Sequence, residues 1–370
     1  MEERYAFIAE WYDANASLTR RYQFLYFPSD NAIEMYDIKN RRIFLKRSKF
    51  EAIKPEQLFI SSVINVHSRQ LTLVDYADDF TRTKLTNRTE RTLAIIKPDA
   101  VSKMGTILDI IANEGFSLCH VKMVRLSRKA AAEFYAEHTG KHFFDQLLDF
   151  MTSGPAVAIE LMAPNCIRKW RQLIGPTNPA KAREESPGSI RAKFGTDGTR
   201  NACHGSDSPS SAEREIGFFF RRDHSNIAQF SNCTLGIIKP HAVASGLGGK
   251  IINEIQAKGF QISVLEMFFL ERANGDEFLE VYKGVVSEYT QMVAQLCSGP
   301  CIAMEIVAEN APTEFREIVG PSDPEIARHL RPHTLRAMFG KDKIQNAVHC
   351  TDLPDDGVLE VEYFFRVLQN

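Results

Sequence analysis

A chain of 370 residues with 45 Lys and Arg against 47 Asp and Glu has a formal net charge of −2, so nothing draws it as a whole to nucleic acid or to a membrane surface. Its 44% hydrophobic and 25% charged content is that of a soluble globular protein, and its length predicts two to three domains of roughly 100–200 residues each. No apolar run approaches the ~18–20 residues that span a bilayer. Seven scattered cysteines without a Cys-x-x-Cys pair argue against a disulfide framework or a zinc site and predict reduced thiols in the cytoplasm. The opening Met1-Glu-Glu-Arg-Tyr5 has no basic segment followed by an apolar one, so no secretory leader is expected.

Residues 1–90 predict a small β-rich domain. Tyr22-Gln-Phe-Leu-Tyr-Phe27, Ala32-Ile-Glu-Met-Tyr36 and Arg42-Ile-Phe-Leu-Lys46 alternate or run apolar and aromatic, with breaks at Pro28-Ser-Asp-Asn31 and Lys39-Asn40. That pattern reads as a meander or a partly closed barrel. Residues 78–91 are polar and charged, and a linker is expected there. Thr92-Leu-Ala-Ile-Ile96 is an apolar run halted by Lys97-Pro98, a buried strand. Ile107, Leu108, Ile110 and Ile111 have helical spacing, and Gly115 ends that helix. Residues 117–126 read as strand, 128–151 as two helical segments broken near Gly140, 155–161 as a third strand and 165–173 as helix. After a loop rich in proline and glycine, 201–205 form a short fourth strand and 210–220 a closing helix. This β-α-β-β-α-β order with inserted helices fits a ferredoxin-like α+β domain.

The same order then returns. Asn201-Ala-Cys-His204-Gly-Ser-Asp207 reappears 145 residues on as Asn346-Ala-Val-His349-Cys-Thr-Asp352, and each Asp is followed eight residues later by a glutamate, Glu215 or Glu360. Ser153-Gly-Pro155 returns as Ser298-Gly-Pro300, Arg171 as Arg316, Thr177 as Ser322 and Arg191 as Arg336. Upstream the offset drifts: Tyr135 pairs with Tyr282, and Lys97-Pro98 with Lys239-Pro240. Small loop insertions explain the drift. The copies are expected at 91–225 and 233–370, far too long for solenoid units, so they are tandem globular domains.

A lone histidine near a hydroxyl and a carboxylate is as readily a satisfied core residue as part of a hydrolase triad, a proton shuttle or a phosphate acceptor. Here each copy also repeats a lysine, a tyrosine, two arginines, a Thr or Ser and an asparagine. That density of cations suits a polyphosphate, which arginine grips through paired oxygens, and exceeds what ester hydrolysis needs. Phosphoryl transfer through histidine is the better reading. Gly246-Leu-Gly-Gly-Lys250 lacks the spacing and hydroxyl of a phosphate loop and reads as a turn before a helix. Asp99 and His241 hold equivalent places, so no metal carboxylate there is common to both copies. No protein-built metal site is expected, and magnesium would arrive on the nucleotide phosphates.

These motifs, with Gly175-Pro-Thr-Asn-Pro179, Pro187-Gly-Ser-Ile-Arg191 and Ser211-Ala-Glu-Arg-Glu215, resemble the nucleoside diphosphate kinase family through both copies. The resemblance implies a ferredoxin-like fold and a ping-pong reaction through a phosphohistidine, with ATP or GTP and nucleoside diphosphates as ligands. It casts His204 as the nucleophile, oriented by Glu215 and Ser206. Arg171, Thr177, Arg191 and Tyr135 would surround the phosphates, Lys97 and Asn201 would meet the ribose, and Phe143 would stack the base. The second copy keeps Lys239, Tyr282, Arg316, Arg336, Asn346, His349 and Glu360, with Ser322 for threonine. It departs at Cys350-Thr351 and has lost the stacking phenylalanine, so a weak or silent second site is expected. The copies are expected to pair within one chain and leave it monomeric.

Phe24-Leu-Tyr-Phe27, Asp30-Asn-Ala-Ile-Glu-Met-Tyr-Asp37 and Arg42-Ile-Phe-Leu-Lys-Arg47 resemble a DM10 domain, a PH-like module of ciliary proteins. DM10 ahead of two kinase domains is similar to a branch of the family, and implies association with centrosomal or axonemal microtubules, γ-tubulin complexes included. The kinase folds would then serve as an enzyme or mainly as scaffold. Lys39, Arg41, Arg42, Lys46, Arg47, Lys49 and Lys54, with Glu51 alone among them, could meet an acidic tubulin surface. They would equally be the solvated, lysine-protected edge of a sheet. The stretch has no zinc ligands or recognition-helix pattern, so no specific nucleic acid is expected.

Overall fold

The computed structural model describes residues 2–13, 16–53, 55–60, 62–67, 69–86, 90–222 and 224–369. Lys54 of the basic run and 87–89 of the expected linker lie outside them.

The N-terminal part is a six-stranded antiparallel sheet of β1 (Tyr5–Asp13), β2 (Leu18–Phe27), β3 (Ala32–Asp37), β4 (Arg42–Lys49), β5 (Val63–Val66) and β6 (Arg69–Tyr76), in the order β4-β3-β2-β1-β6-β5. Phe7, Tyr22, Phe24 and Tyr26 are buried in its core, as alternation in β2 demands. Three of these strands carry no clear sequence signal; β5 spans four residues, too few for a period of two to show. The expected linker instead contains a helix, α1 (Asp79–Thr86). Thr81 Oγ1 accepts the Ala6 N–H at 2.8 Å and Leu85 joins the sheet's core, so the polar residues are only its outer face. β4 is an exposed edge strand, and Arg47 on it is committed to Glu2 and Asp30 at 2.7 and 2.9 Å.

The two kinase-like copies share one eight-stranded sheet. The first supplies β7 (Glu90–Ile96), β8 (Ser117–Val124), β9 (Ala156–Ala163) and β10 (Cys203–Gly205), and the second β11 (Cys233–Ile238), β12 (Gln261–Phe269), β13 (Pro300–Val307) and β14 (Val348–Cys350). The order β10-β7-β9-β8-β12-β13-β11-β14 is the ferredoxin-like arrangement followed by its mirror in sequence. Around the first copy lie α2 (Met104–Asn113), α3 (Arg128–Phe134), α4 (Phe144–Thr152), α5 (Cys166–Ile174), α6 (Pro179–Glu185), α7 (Ile190–Phe194) and α8 (Pro209–Phe220). The second repeats them as α10 (Gly248–Ala257), α11 (Arg272–Phe278), α12 (Tyr289–Leu296), α13 (Ala311–Val319), α14 (Pro324–Leu330), α15 (Leu335–Phe339) and α16 (Gly357–Glu362), preceded by α9 (Pro240–Ala244) where the first has a 3-10 segment, Pro98–Lys103. The loop rich in proline and glycine therefore holds two short helices, α6 and α7, each started by a side-chain cap from Asn178 or Ser189.

The copies meet where β8 lies beside β12. Lys122 sits opposite Glu266, and their side chains pair at 3.0 Å. Beneath that seam α2 packs on α10, and Ile107, Leu108 and Ile111 share one core with Ile251, Ile252 and Ile255. Gly246, in the left-handed region at φ +71, turns the chain into α10 as the sequence predicts. Gly249 has a further use: it presses against the backbone of α2, where a Cβ would lie 2.2 Å from the Asp109 nitrogen. The N-terminal sheet docks across both copies. Asn65 Nδ2 donates to the Cys297 carbonyl at 2.6 Å and Gln70 Nε2 to that of Phe269 at 2.8 Å, while Phe59 packs on Cys119 and Met162.

Candidate active site

His204 lies on β10, opposite Ile95 of the buried strand β7. Two residues earlier Ala202 is in the left-handed region at φ +67, a strained state for alanine, and its N–H donates to Asp99 Oδ2 at 3.1 Å. The second copy repeats the strain at Ala347, whose N–H donates at 3.2 Å to Nε2 of His241. Burial, with help from Lys239, takes the His241 pKa down to about 4, so the ring is a neutral acceptor. The unlike pair Asp99 and His241 thus has one backbone-anchoring task.

His204 Nε2 is 2.9 Å from Glu215 Oε2. Ser206 Oγ donates to the same oxygen at 2.7 Å and accepts the Leu93 N–H at 3.2 Å. Burial alone would raise the Glu215 carboxyl, but the hydrogen bonds from His204 and Ser206 and the nearby charge outweigh it and hold it below the usual range. A charged Glu215 on Nε2 fixes that nitrogen as the protonated one. Nδ1 then carries the lone pair, and no protein group binds it among the described residues.

Cations without carboxylates stand nearby. Arg191 Nη1 and Nη2 donate to the carbonyls of Gly175 and Cys203, both at 2.9 Å, and burial depresses its pKa. Tyr135, packed edge-on to the His204 ring at 6.2 Å, is buried with its hydroxyl unpartnered. Lys97 Nζ donates to Asn201 Oδ1 at 2.7 Å, and Asn201 Nδ2 to the Thr177 carbonyl at 3.0 Å. Rings continue outward from Tyr135 to His138 at 6.0 Å and from His138 to Phe143 at 5.6 Å. A part-buried guanidinium with only neutral partners and an orphaned buried hydroxyl are costly unless an anion completes them.

Burial and the Arg191 charge bring the Lys97 pKa from 10.5 to about 8. The protonated form is the one that attracts phosphate and donates to ribose, and it is lost as pH rises through about 8. Nucleotide affinity of the first copy is therefore expected to fall above that pH, where an ordinary lysine would stay charged. Titration calorimetry with ADP from pH 6.5 to 9.5 checks this, and Lys97→Met should flatten the profile.

The second copy preserves the central geometry. His349 Nε2 is 2.9 Å from Glu360 Oε2, and Thr351 Oγ1 donates to that oxygen at 2.9 Å. Arg336 Nε and Nη1 donate to the carbonyls of Val348 and Gly320, both at 3.0 Å, and Asn346 Nδ2 to that of Ser322 at 2.9 Å. Lys239 Nζ reaches the Ile344 carbonyl at 3.4 Å. Of these, Lys239, Ser322, Arg336, Ile344, Asn346 and His349 line a cavity of about 460 Å³.

The departure at Cys350 is accommodated rather than damaging. A Cβ on Gly205 would lie 2.5 Å from Trp170 Cδ1, so glycine is required only because tryptophan is there. At the matching place in the second copy stands the smaller Phe315. Trp170 also donates its Nε1 to the His204 carbonyl at 3.0 Å, which ties α5 to the strand that carries His204. The sequence signal was present in this paired exchange of Trp/Gly for Phe/Cys, which residue-by-residue reading passes over. Gly205→Ala is expected to cost about 1–3 kcal/mol by overpacking. Adding Trp170→Phe should recover most of it in denaturant unfolding, and additive losses would disprove the coupling.

The cleft electrostatics do differ. Glu288 and Asp323 line the second cavity where the first copy has Phe143 and Asn178, while Asp352 and Asp207 match in type. Phe278 packs on His349 at 5.1 Å as Phe134 does on His204 at 5.4 Å. That puts Leu279 in the place of Tyr135 and Tyr282 in that of His138, so the pairing of Tyr135 with Tyr282 expected from the sequence does not hold.

The "Nucleoside diphosphate kinase" family model matches residues 90–225 and again 232–369. The chain belongs to the nucleoside diphosphate kinase family. Residues 1–87 match the "Nucleoside diphosphate kinase 7 N-terminal PH domain". Within the family the chain is similar to "Nucleoside diphosphate kinase homolog 7" of Rattus norvegicus, 56% identical over 372 residues, which spans 100% of this chain and 94% of the relative. The Mus musculus protein of the same name is 55% identical over the same extent. A crystal structure of the Aquifex aeolicus nucleoside diphosphate kinase is 49% identical over 36% of this chain and 95% of its own, with a TM-score of 0.35. Among the described residues no helix is long and apolar enough to cross a membrane.

Proposed function

We propose that the chain is an active nucleoside diphosphate kinase whose first copy carries the reaction, with a weak or silent second copy. The observation that carries this is the His204 ring: Nε2 is held by the charged Glu215, Nδ1 is free, and unneutralised Arg191 and Tyr135 stand beside it. The Nδ1 lone pair attacks the γ-phosphorus of a nucleoside triphosphate, the bond to the β-phosphate oxygen breaks, and the diphosphate leaves with that electron pair. A second diphosphate then attacks the phosphohistidine, the P–N bond breaks and the electrons return to Nδ1. Arg171, Arg191 and Thr177 hold the phosphates, Lys97 and Asn201 the ribose, and Phe143 the base. The donor set is cationic and hydroxylic, which fits magnesium carried on the phosphates, where it would neutralise oxygen charge.

Incubating the protein with γ-labelled ATP should give acid-labile, alkali-stable label that chases onto added GDP. A chain that takes up no label sinks the reading.

The N-terminal sheet is proposed to target the enzyme to centrosomal or ciliary microtubules, through the exposed basic edge of β4 rather than through Arg47, which is paired internally. A second reading, scaffolding, is favoured by one asymmetry. Val281, Val285, Ile326, Leu330, Leu353 and Leu359 are exposed in the second copy, whereas no large apolar side chain of the first copy is exposed among the described residues.

A further inference from the structure

Corresponding aspartates of the two copies have different partners. In the first, the hydroxyls of Ser211 and Ser208 at the start of α8 hold the Asp207 carboxyl below the usual range. Arg171 has no ion-pair partner among the described residues, and His138 stands where the second copy carries Tyr282. In the second, both serines are gone: Ser208-Pro-Ser-Ser211 has become Leu353-Pro-Asp-Asp356. Asp352 loses its anchors and gains two like charges beside it. It turns instead to the cavity, where the Tyr282 hydroxyl donates to its Oδ2 at 2.6 Å and Arg316 Nη1 donates to its Oδ1. The same aspartate lines the cavity beside His349.

We infer that Asp352 is an internal anion that closes the second site, occupying with its carboxylate the Arg316 donor that a nucleotide phosphate would need while the Tyr282 hydroxyl holds it in place. This rests on the reading of these pockets as nucleotide sites and replaces general erosion with a single cause. His349, Thr351, Glu360 and Arg336 retain working geometry, so the closure is reversible in principle. A phosphate competes with a tethered carboxylate that has two charge-assisted or short hydrogen bonds, and must break both before it forms its own. The carboxylate is low in pKa because the Tyr282 and Arg316 hydrogen bonds outweigh its burial, so it stays charged at neutral pH and does not leave by protonation. Both Asp352 and Arg316 remain about half-exposed (45% and 49%), which leaves water access and a route outward for the displaced carboxylate.

The test counts nucleotide sites on the full chain by equilibrium dialysis with ADP and magnesium. Wild type should show one tight site. Asp352→Asn should add a second site, with affinity raised at least about ten-fold over the wild-type second site, the scale expected when two strong contacts are released. Leu353→Ser with Asp356→Ser leaves Asp352 in place but restores the first copy's anchors, and it should open the site as well. In a His204→Ala background either change should give acid-labile label that His349→Ala removes. Two equal sites in wild type would overturn the inference. So would an unaltered second site in both variants when their circular dichroism and melting match wild type. Binding is read without chemistry, so a chain that binds ADP but never labels His204 refutes the kinase proposal and not this closure.

Discussion

Replacing His204 by alanine is expected to lower nucleoside diphosphate kinase turnover by at least about 10⁴-fold, because no other group of the first copy offers a lone pair at the same place. Glu215 faces Nε2 and Ser206 serves Glu215, so neither can substitute for Nδ1. The fold should survive the change. The ring is only part-buried, and Glu215 keeps the Ser206 hydroxyl together with Arg214 at 3.5 Å. Removing the ring does remove the largest influence that opposes burial of the carboxylate. Glu215 should then titrate at higher pH than in wild type, so acid unfolding should begin earlier: its folded pKa is depressed in wild type, and the stability that follows is lost as pH falls through it. A coupled assay gives the rate, and label chased with His349→Ala assigns whatever remains. Turnover within ten-fold of wild type in the His204→Ala, His349→Ala chain would place the nucleophile elsewhere.

Much of this site is legible in the sequence because the chain states it twice. Lys97, Arg171, Arg191, Asn201 and His204 each have a counterpart, and coincidence of type at fixed spacing points to a shared site that one copy could not reveal, whereas Tyr135, read as paired with Tyr282, has Leu279 in its place. The ferredoxin-like order is legible for the same reason that β7 is: an unbroken apolar run bounded by proline has few other uses. Segments whose polar face dominates are not legible. α1 hides Thr81 and Leu85 in a charged stretch, and α6 and α7 are seven and five residues long, under two helical turns. Partnership is the other gap. Gly205 reads as a conformational glycine until Trp170 is seen above it, and Asp352 reads as equivalent to Asp207 until its hydrogen bonds are traced. Each depends on a side chain remote in sequence, and spacing carries no information about that.

Gly249→Leu is expected to do the most damage to the fold, although the position reads as an ordinary turn-and-helix glycine. A Cβ there would lie 2.2 Å from the Asp109 nitrogen and 2.6 Å from the Leu108 carbonyl carbon, and backbone cannot rotate away as a side chain can. The contact is reciprocal: a Cβ on Gly105 would lie 2.3 Å from the Asn253 nitrogen. Two helices that touch backbone to backbone must separate bodily to admit any side chain, and the isoleucines of α2 and α10 then lose their shared packing. Helix propensity points the other way, since replacing a helical glycine by a better helix former gains about 0.5–1 kcal/mol. A net loss exceeding about 3 kcal/mol in denaturant unfolding would therefore isolate the interface. Gly188→Ala, whose Cβ meets nothing within 4 Å, should be close to neutral. Separation would also uncover the facing edges of β8 and β12, which are paired only at the Lys122 and Glu266 register. Light scattering should then change from the wild-type mass to a mixture of larger species. A variant that keeps wild-type mass and stability would show that α2 and α10 do not hold the two copies together.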